Sequence, residues 1–139
     1  MLIKFFTTLH VSLFRLSGGR VGNRLGKQSA LLLHTVGRNS AKDYYTTLSY
    51  YRDGDNYLVV ASNWGKESDP DWYLNLIQQP KTTIQVGSKI LNVEARPAEG
   101  EDYQRLWVLV TRKNEQYITY QNGMKRRIPI MILSPTLQP

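Results

Sequence analysis

The 139-residue chain contains no cysteine and only two histidines, His10 and His34. The first absence excludes disulfides, thiol catalysis, iron–sulfur ligation and cysteine-bound zinc. The second leaves no HxxxH or HxH pair, so no metal site is expected. No stretch approaches the roughly 20 consecutive apolar residues that a bilayer-spanning helix needs. Signatures of protein-borne catalysis are missing too: there is no GxSxG elbow, P-loop, GxGxxG, Ser–His–Asp set or pair of acid carboxylates. An enzyme built on this sequence would need a bound cofactor to carry the reaction, with the protein supplying position and electrostatics.

Acidic residues are absent from residues 1–42, which hold Lys4, Arg15, Arg20, Arg24, Lys27, Arg38 and Lys42. The rest of the chain balances eleven basic against eleven acidic residues, so the whole net charge of +7 arises in the first third. Such asymmetry points to an anionic partner: nucleic acid, an acidic membrane surface or a phosphorylated ligand. Nucleic acid ranks last, because the basic residues flank a helix and a linker instead of interleaving with aromatics on one face. With 41% apolar and 21% charged residues the composition is that of a globular protein with one real core.

Leu2, Phe5, Phe6, Leu9, Leu13 and Leu16 recur at helical spacing, with Lys4, Thr8, Ser12 and Arg15 mainly opposite. Residues 1–16 are thus read as an amphipathic helix, either packed on the domain or lying on a membrane surface. "SGGRVGNRLGKQ" follows as a glycine-rich basic linker, so the expected division is 1–29 and 30–139. From Ala30 the pattern turns to strands: Ala30–Thr35, Tyr45–Arg52, Tyr57–Ser62, Thr82–Val86, Lys89–Arg96 and Ile128–Leu133. "RDGDN" and "GS" mark hairpins between them. Two or three helices interleave, in "SDPDWYLNLIQQP", with Ser68 or Asp69 as N-cap, in "EDYQRLWVLV" and in "EQYITYQ". Six short strands with peripheral helices predict a mainly β (α+β) chain built as a small barrel.

Three places can hold chemistry. In "LLLHTVGRNSA" a leucine strand runs into Gly37, Arg38, Asn39 and Ser40, a flexible, donor-rich corner suited to phosphate or to an ordinary polar turn. His34 beside it reads as a satisfied strand side chain. "ASNWGKESDPDW" joins a strand end to a helix start and is a second donor-rich corner. The tyrosines are the third feature. Tyr50 and Tyr51 read as packing, whereas Tyr117 and Tyr120, three apart on a polar helix, suit a functional face.

Taken together, "RLSGGRVGNRLG", "LLLHTVGRNSA", "LVVASNWG", "DPDWYLNLIQQPKTTIQVG", "ARPAEGEDYQRLW", "YITYQ" and "RIPIMIL" resemble the deazaflavin (F420)-dependent nitroreductase family. The resemblance covers nearly the whole chain and implies a six-stranded split β-barrel of the FMN-binding type. It also implies reduced coenzyme F420, an 8-hydroxy-5-deazaflavin, as donor of a hydride to a quinone, enone or nitroaromatic. By similarity the cofactor-binding residues are Arg38, Asn39 and Ser40 at the phosphate; Thr46, Thr47 and Leu48 on the next strand; Ala61, Ser62 and Asn63 at the "AS" corner; Trp72, Tyr73, Leu74 and Asn75 on the helix; and Tyr117. Catalytic roles fall to Tyr117, Tyr120 and Ser62. The chain departs from the family pattern at Asn39, Asn63, Trp64, Thr47 and Asn114.

The implied partner is a small-molecule hydride acceptor, with membrane contact through residues 1–16, a homodimer, and a cytoplasmic location at the inner face of the plasma membrane as further expectations. No nucleic acid is expected. Two rival readings keep the fold: an FMN-binding oxidoreductase, and a non-catalytic lipid- or fatty-acid-binding protein.

Overall fold

The computed structural model describes residues 24–25 and 28–136. The expected helix over residues 1–16 lies outside them. The described residues form eight strands: β1 (Arg24–Leu25), β2 (Gln28–Val36), β3 (Asp43–Ser49), β4 (Tyr51–Asp53), β5 (Asn56–Val60), β6 (Lys81–Val86), β7 (Lys89–Pro97) and β8 (Ile130–Pro135). Three helices accompany them: α1 (Asp71–Gln78), α2 (Gly100–Lys113) and α3 (Gln116–Asn122). None of these helices is long and apolar enough to cross a membrane.

All strand pairs are antiparallel, in the order β3–β2–β6–β7–β8–β5–β4, with β1 paired to the start of β2. Pairing therefore reaches back into the stretch read as a linker. The outermost strands of this order, β3 and β4, are separated in sequence by Tyr50 alone. The chain thus joins the sheet's two edges and curls it into a half-barrel. Here the six-strand expectation is corrected. The 45–52 run breaks at Tyr50, whose N–H donates to the Ser29 carbonyl, so β3 pairs with β2 while β4 turns to pair with β5. The two expected hairpins form at Gly54 and Gly87, both with positive φ, as tight turns between antiparallel strands require.

The period-2 pattern of β5 and β8 divides the core in two. Tyr57, Val59, Ala61, Met131 and Leu133 face one cluster with Leu31, Leu33 and the α1 residues Trp72 and Leu76. Leu58, Val60, Ile130 and Ile132 face the other, covered by Tyr103, Leu106 and Val110 of α2 and Tyr117 of α3. Both faces of these central strands are buried, which is why they read as unbroken apolar runs. Each fully buried Leu or Ile contributes about 1.5–3 kcal/mol. α2 carries Glu101 and Asp102 in its first turn and Arg112 and Lys113 in its last, complementing the helix dipole at both ends.

α1 starts one residue after Pro70, whose carbonyl accepts the first helical hydrogen bonds from Tyr73 and Leu74. Neither Ser68 nor Asp69 caps it. The Ser68 carbonyl accepts from the Asn63 amide, and Asp69 is paired with Arg126.

Candidate active site

β2 ends at Val36, and Gly37 turns the chain. Its N–H donates to the Lys42 carbonyl and its own carbonyl accepts from Ala41. A Cβ on residue 37 would lie 2.5 Å from Ser40 Oγ and 2.7 Å from a Tyr44 ring carbon, so only glycine lets these groups close on the corner.

Arg38 is held firmly there. Its backbone N–H and its Nη1 both donate to Asn75 Oδ1, at 3.2 and 2.8 Å, and its Nη2 lies 3.1 Å from Asp71 Oδ1. Asn75 is only 4% exposed and donates in turn to Thr35 Oγ1. A buried amide on α1 therefore sets where the β2 guanidinium points. Asn39 and Ser40 complete the corner, whose cleft of about 410 Å³ is also lined by Tyr44, Thr46 and Trp72.

A second cleft of about 360 Å³ shares Thr46 and Trp72 with the first and runs on past Thr47, Leu48, Ser62, Asn63, Trp64, Asn114, Tyr117 and Tyr120. The two form one groove along β3, basic at one end and aromatic at the other. His34 points elsewhere. Its ring nitrogens meet Asp43 Oδ1 at 2.7 Å and Thr82 Oγ1 at 3.3 Å, and it stacks on Tyr45.

The loop after β5 forms the far wall. Asn63 and Trp64 hold φ of +50° and +59°, left-handed values that are rare for a bulky residue and cost of order 1–3 kcal/mol each. Gly65 follows at φ +83°, and a Cβ there would lie 2.8 Å from the Tyr120 ring. The loop is fastened by Arg126, which donates to the carbonyls of Ala61, Ser62 and Lys66 and to Asp69 Oδ1. On α3, the Tyr117 hydroxyl lies 3.0 Å from that of Tyr51. Burial, then the neighbouring Tyr51, pushes the Tyr117 hydroxyl far above the ordinary tyrosine range. It stays a neutral hydrogen-bonding group at neutral pH and does not give up its proton.

Most of the expected site residues meet in this groove: Arg38, Asn39, Ser40, Thr46, Thr47, Leu48, Ser62, Asn63, Trp72, Asn75, Tyr117 and Tyr120. Ala61, Tyr73 and Leu74 do not line it. Ala61 is fully buried in the core, and Tyr73 packs against the same core from the helix. The structure adds Thr35, Asp71 and Arg126, which act through contacts between residues 33 to 65 positions apart. No local motif announces such contacts. Asp71 could have been suspected, since it stands in the helix-start block.

The donor set suits a phosphorylated tricyclic cofactor. Arg38, Asn39 and Ser40 offer charged and neutral donors at one end, and aromatic and apolar side chains line the rest. Thr47 adds a further sign. Its Oγ1 is inaccessible to solvent and has no hydrogen-bond partner among the described residues. A buried hydroxyl left unpaired costs about 1–3 kcal/mol. Replacing Thr47 with valine should leave unfolding stability unchanged or raise it by about 1 kcal/mol, yet weaken cofactor binding. Urea unfolding beside a binding titration measures both, and unaltered binding would take Thr47 out of the site.

Comparison with known proteins agrees with this geometry. Residues 6–135 match the model of a family described as F420H(2)-dependent quinone reductase. An F420H(2)-dependent quinone reductase of Mycobacterium tuberculosis is 42% identical over 130 residues, covering 91% of this chain and 87% of its own. A solved F420-H2 dependent reductase is 33% identical, covering 76% of this chain and 93% of its own, with a TM-score of 0.69. Another structure, described as a domain-swapped dimer, is 28% identical, covering 91% and 97%, with a TM-score of 0.72. An anion corner, an orphan hydroxyl and an aromatic end in one groove, on a chain matched over nearly its whole length, place the protein in the F420H(2)-dependent quinone reductase family.

Proposed function

We propose that the protein reduces a quinone-type acceptor in the aromatic half of the groove, on a split β-barrel that holds coenzyme F420 along β3. The observation that supports this most is the continuity of the two clefts through Thr46 and Trp72. It gives an elongated ligand one path from Arg38 to Tyr120. When bound, reduced F420 supplies the hydride.

The chain's own residues do the rest. Arg38, with its direction set by Asn75, and the neutral donors of Asn39 and Ser40 hold the phosphate end. Thr46, Thr47 and Leu48 form the floor, and Trp72 is the shared wall between the halves. The loop carrying Ser62, Asn63 and Trp64 and the α3 tyrosines flank the acceptor on two sides and leave one mouth open to solvent. The Tyr51 and Tyr117 hydroxyls share one hydrogen bond in which either can donate; with an acceptor bound, Tyr117 turns its O–H to the acceptor oxygen, where negative charge builds as reduction proceeds, and takes the hydrogen bond of Tyr51. Tyr117 stabilises that charge without releasing its proton. Protonation is completed from solvent at the open mouth beside Trp64, which is 76% exposed.

The test is a fluorescence titration with F420 followed by an assay of reduced F420 with menadione. Saturable binding and menadione-dependent oxidation are expected. Binding without turnover of any quinone would overturn the acceptor, and absence of binding would overturn the cofactor site as well. The basic amphipathic segment 1–16 supports contact with membranes carrying such acceptors. Run with quinone dissolved in anionic vesicles, the full chain should outpace a chain lacking residues 1–16, and equal rates would remove the membrane from the proposal.

A further inference from the structure

Counting charge at the phosphate corner leads one step further. Among the described residues that line the two clefts meeting there, Arg38 and Asp71 carry charge, and the others are neutral. Their signs oppose, and they are in contact: Nη2 to Oδ1 is 3.1 Å, and Nη1 approaches the Asp71 carbonyl at 3.5 Å. The Asp71 side chain is 87% exposed, and among the described residues Arg38 is the ion-pair partner of its carboxylate. Arg38, by contrast, would keep its place if Asp71 moved, because Asn75 and Thr35 secure it from the buried side.

We infer that Asp71 is a charge filter on the cofactor's phosphate, cutting back the extra affinity that Arg38 alone would give a phosphate monoester over a phosphodiester. The inference rests on the reading of Arg38 as the phosphate contact. A phosphodiester carries a single negative charge. A phosphomonoester carries about −1.5 to −2 at pH 7. Arg38 attracts the second about twice as strongly as the first, and Asp71 repels it about twice as strongly; among the described residues lining the corner no second cation tips that balance. Coulomb energy is linear in charge, so Asp71 penalises the dianion about twice as much in free energy as the monoanion. Expressed as an affinity ratio, the dianion's penalty is about the square of the monoanion's. F420 bears a diester at this point and FMN a monoester, so the Asp71 carboxylate shifts the balance between two cofactors with similar tricyclic rings towards F420.

Riboflavin and FMN differ only in the phosphate and serve as the clean pair of probes. Each is used to displace F420 from the full chain, with fluorescence as the readout. In the wild-type protein FMN should exceed riboflavin by a smaller factor than in either variant, because Asp71 offsets part of what Arg38 gives the phosphate. In Asp71→Asn, and in the smaller Asp71→Ala, FMN should gain roughly 2- to 25-fold over riboflavin, the square of the 1.4- to 5-fold typical of one exposed charge pair. F420 should gain by about the square root of that factor, and riboflavin should not change.

A riboflavin-to-FMN ratio that is the same in wild type and both variants would overturn the filter, as would FMN failing to compete in all three. Failure of the underlying reading looks different. There F420 binding would be absent, or would not weaken in Arg38→Ala, whatever Asp71 does.

Discussion

Replacing Arg126 with alanine should lower unfolding stability by about 3 kcal/mol and strip the groove of its outer wall. Five hydrogen bonds leave with that side chain, to the carbonyls of Ala61, Ser62 and Lys66 and to Asp69. The Arg126 side chain is 15% exposed and its partner Asp69 31%, so the figure is set at the low end for breaking a buried ion pair. Apart from Arg126, the strained turn at Asn63 and Trp64 is held by the Asn63 amide on the Ser68 carbonyl and by two backbone bonds, Gly65 N–H to the Ser62 carbonyl and Lys66 N–H to the Asn63 carbonyl. Without Arg126 it should relax, carrying Ser62 and Trp64 away from Tyr120.

The functional loss should therefore be uneven. Apparent affinity for the quinone should fall sharply, while F420 binding at the opposite end falls little. Lysine should rescue poorly, because a single ammonium cannot replace a planar fork that reaches four acceptors at once. Urea unfolding, together with KM for menadione and a cofactor titration, checks every part. Unfolding at the wild-type urea concentration would mean that the loop holds itself.

Arg38→Ala should raise the dissociation constant for F420 roughly 10- to 100-fold, the value of a charge-assisted phosphate contact of about 1.5–3 kcal/mol. Stability should hardly move. The pair with Asp71 is exposed on the carboxylate side and worth at most about 1 kcal/mol. Asn75 Oδ1 also keeps the backbone N–H of residue 38, which alanine still supplies, so no buried acceptor is orphaned. This split between binding and stability distinguishes a ligand contact from a structural one. Arg38→Lys should recover only part of the affinity, since lysine cannot be aimed through Asn75 in the same way. Unchanged F420 affinity in Arg38→Ala would move the phosphate elsewhere in the groove.

Much of this site is legible along the chain because its parts are local. A leucine strand ending in Gly37 and Arg38, a strand ending in Ala61 and Ser62, and a helix beginning at Trp72 each show their chemistry within a few residues. So does the helical spacing of Tyr103, Leu106, Trp107 and Val110, of which all but the partly buried Trp107 are buried. Other parts are not visible in this way. Tyr73 and Leu74 share a helix with Trp72 and Asn75, yet 100° per residue turns them out of the groove. Tyr117 and Tyr120 look alike in sequence, but Tyr51, 66 positions away, buries and pairs one of them only. Ser68 and Asp69 are good N-caps by type, but the Ser68 carbonyl accepts from Asn63 in the preceding loop and Asp69 is paired with the distant Arg126.

By itself the sequence determined most of the segments that run as strands, where the two hairpins turn, and that the first third carries the surplus positive charge. These follow from periodicity, glycine conformation and composition, which need no knowledge of distant residues. Tertiary structure alone decided that β3 and β4 split at Tyr50 and that Asn75 aims Arg38. It also decided that Asp71 covers Arg38, and that Arg126 fastens the loop facing Tyr120. Each of these is a contact between segments far apart in the chain. Its direction depends on how the sheet curls, and a curl set by strand order leaves no mark on any single stretch of residues.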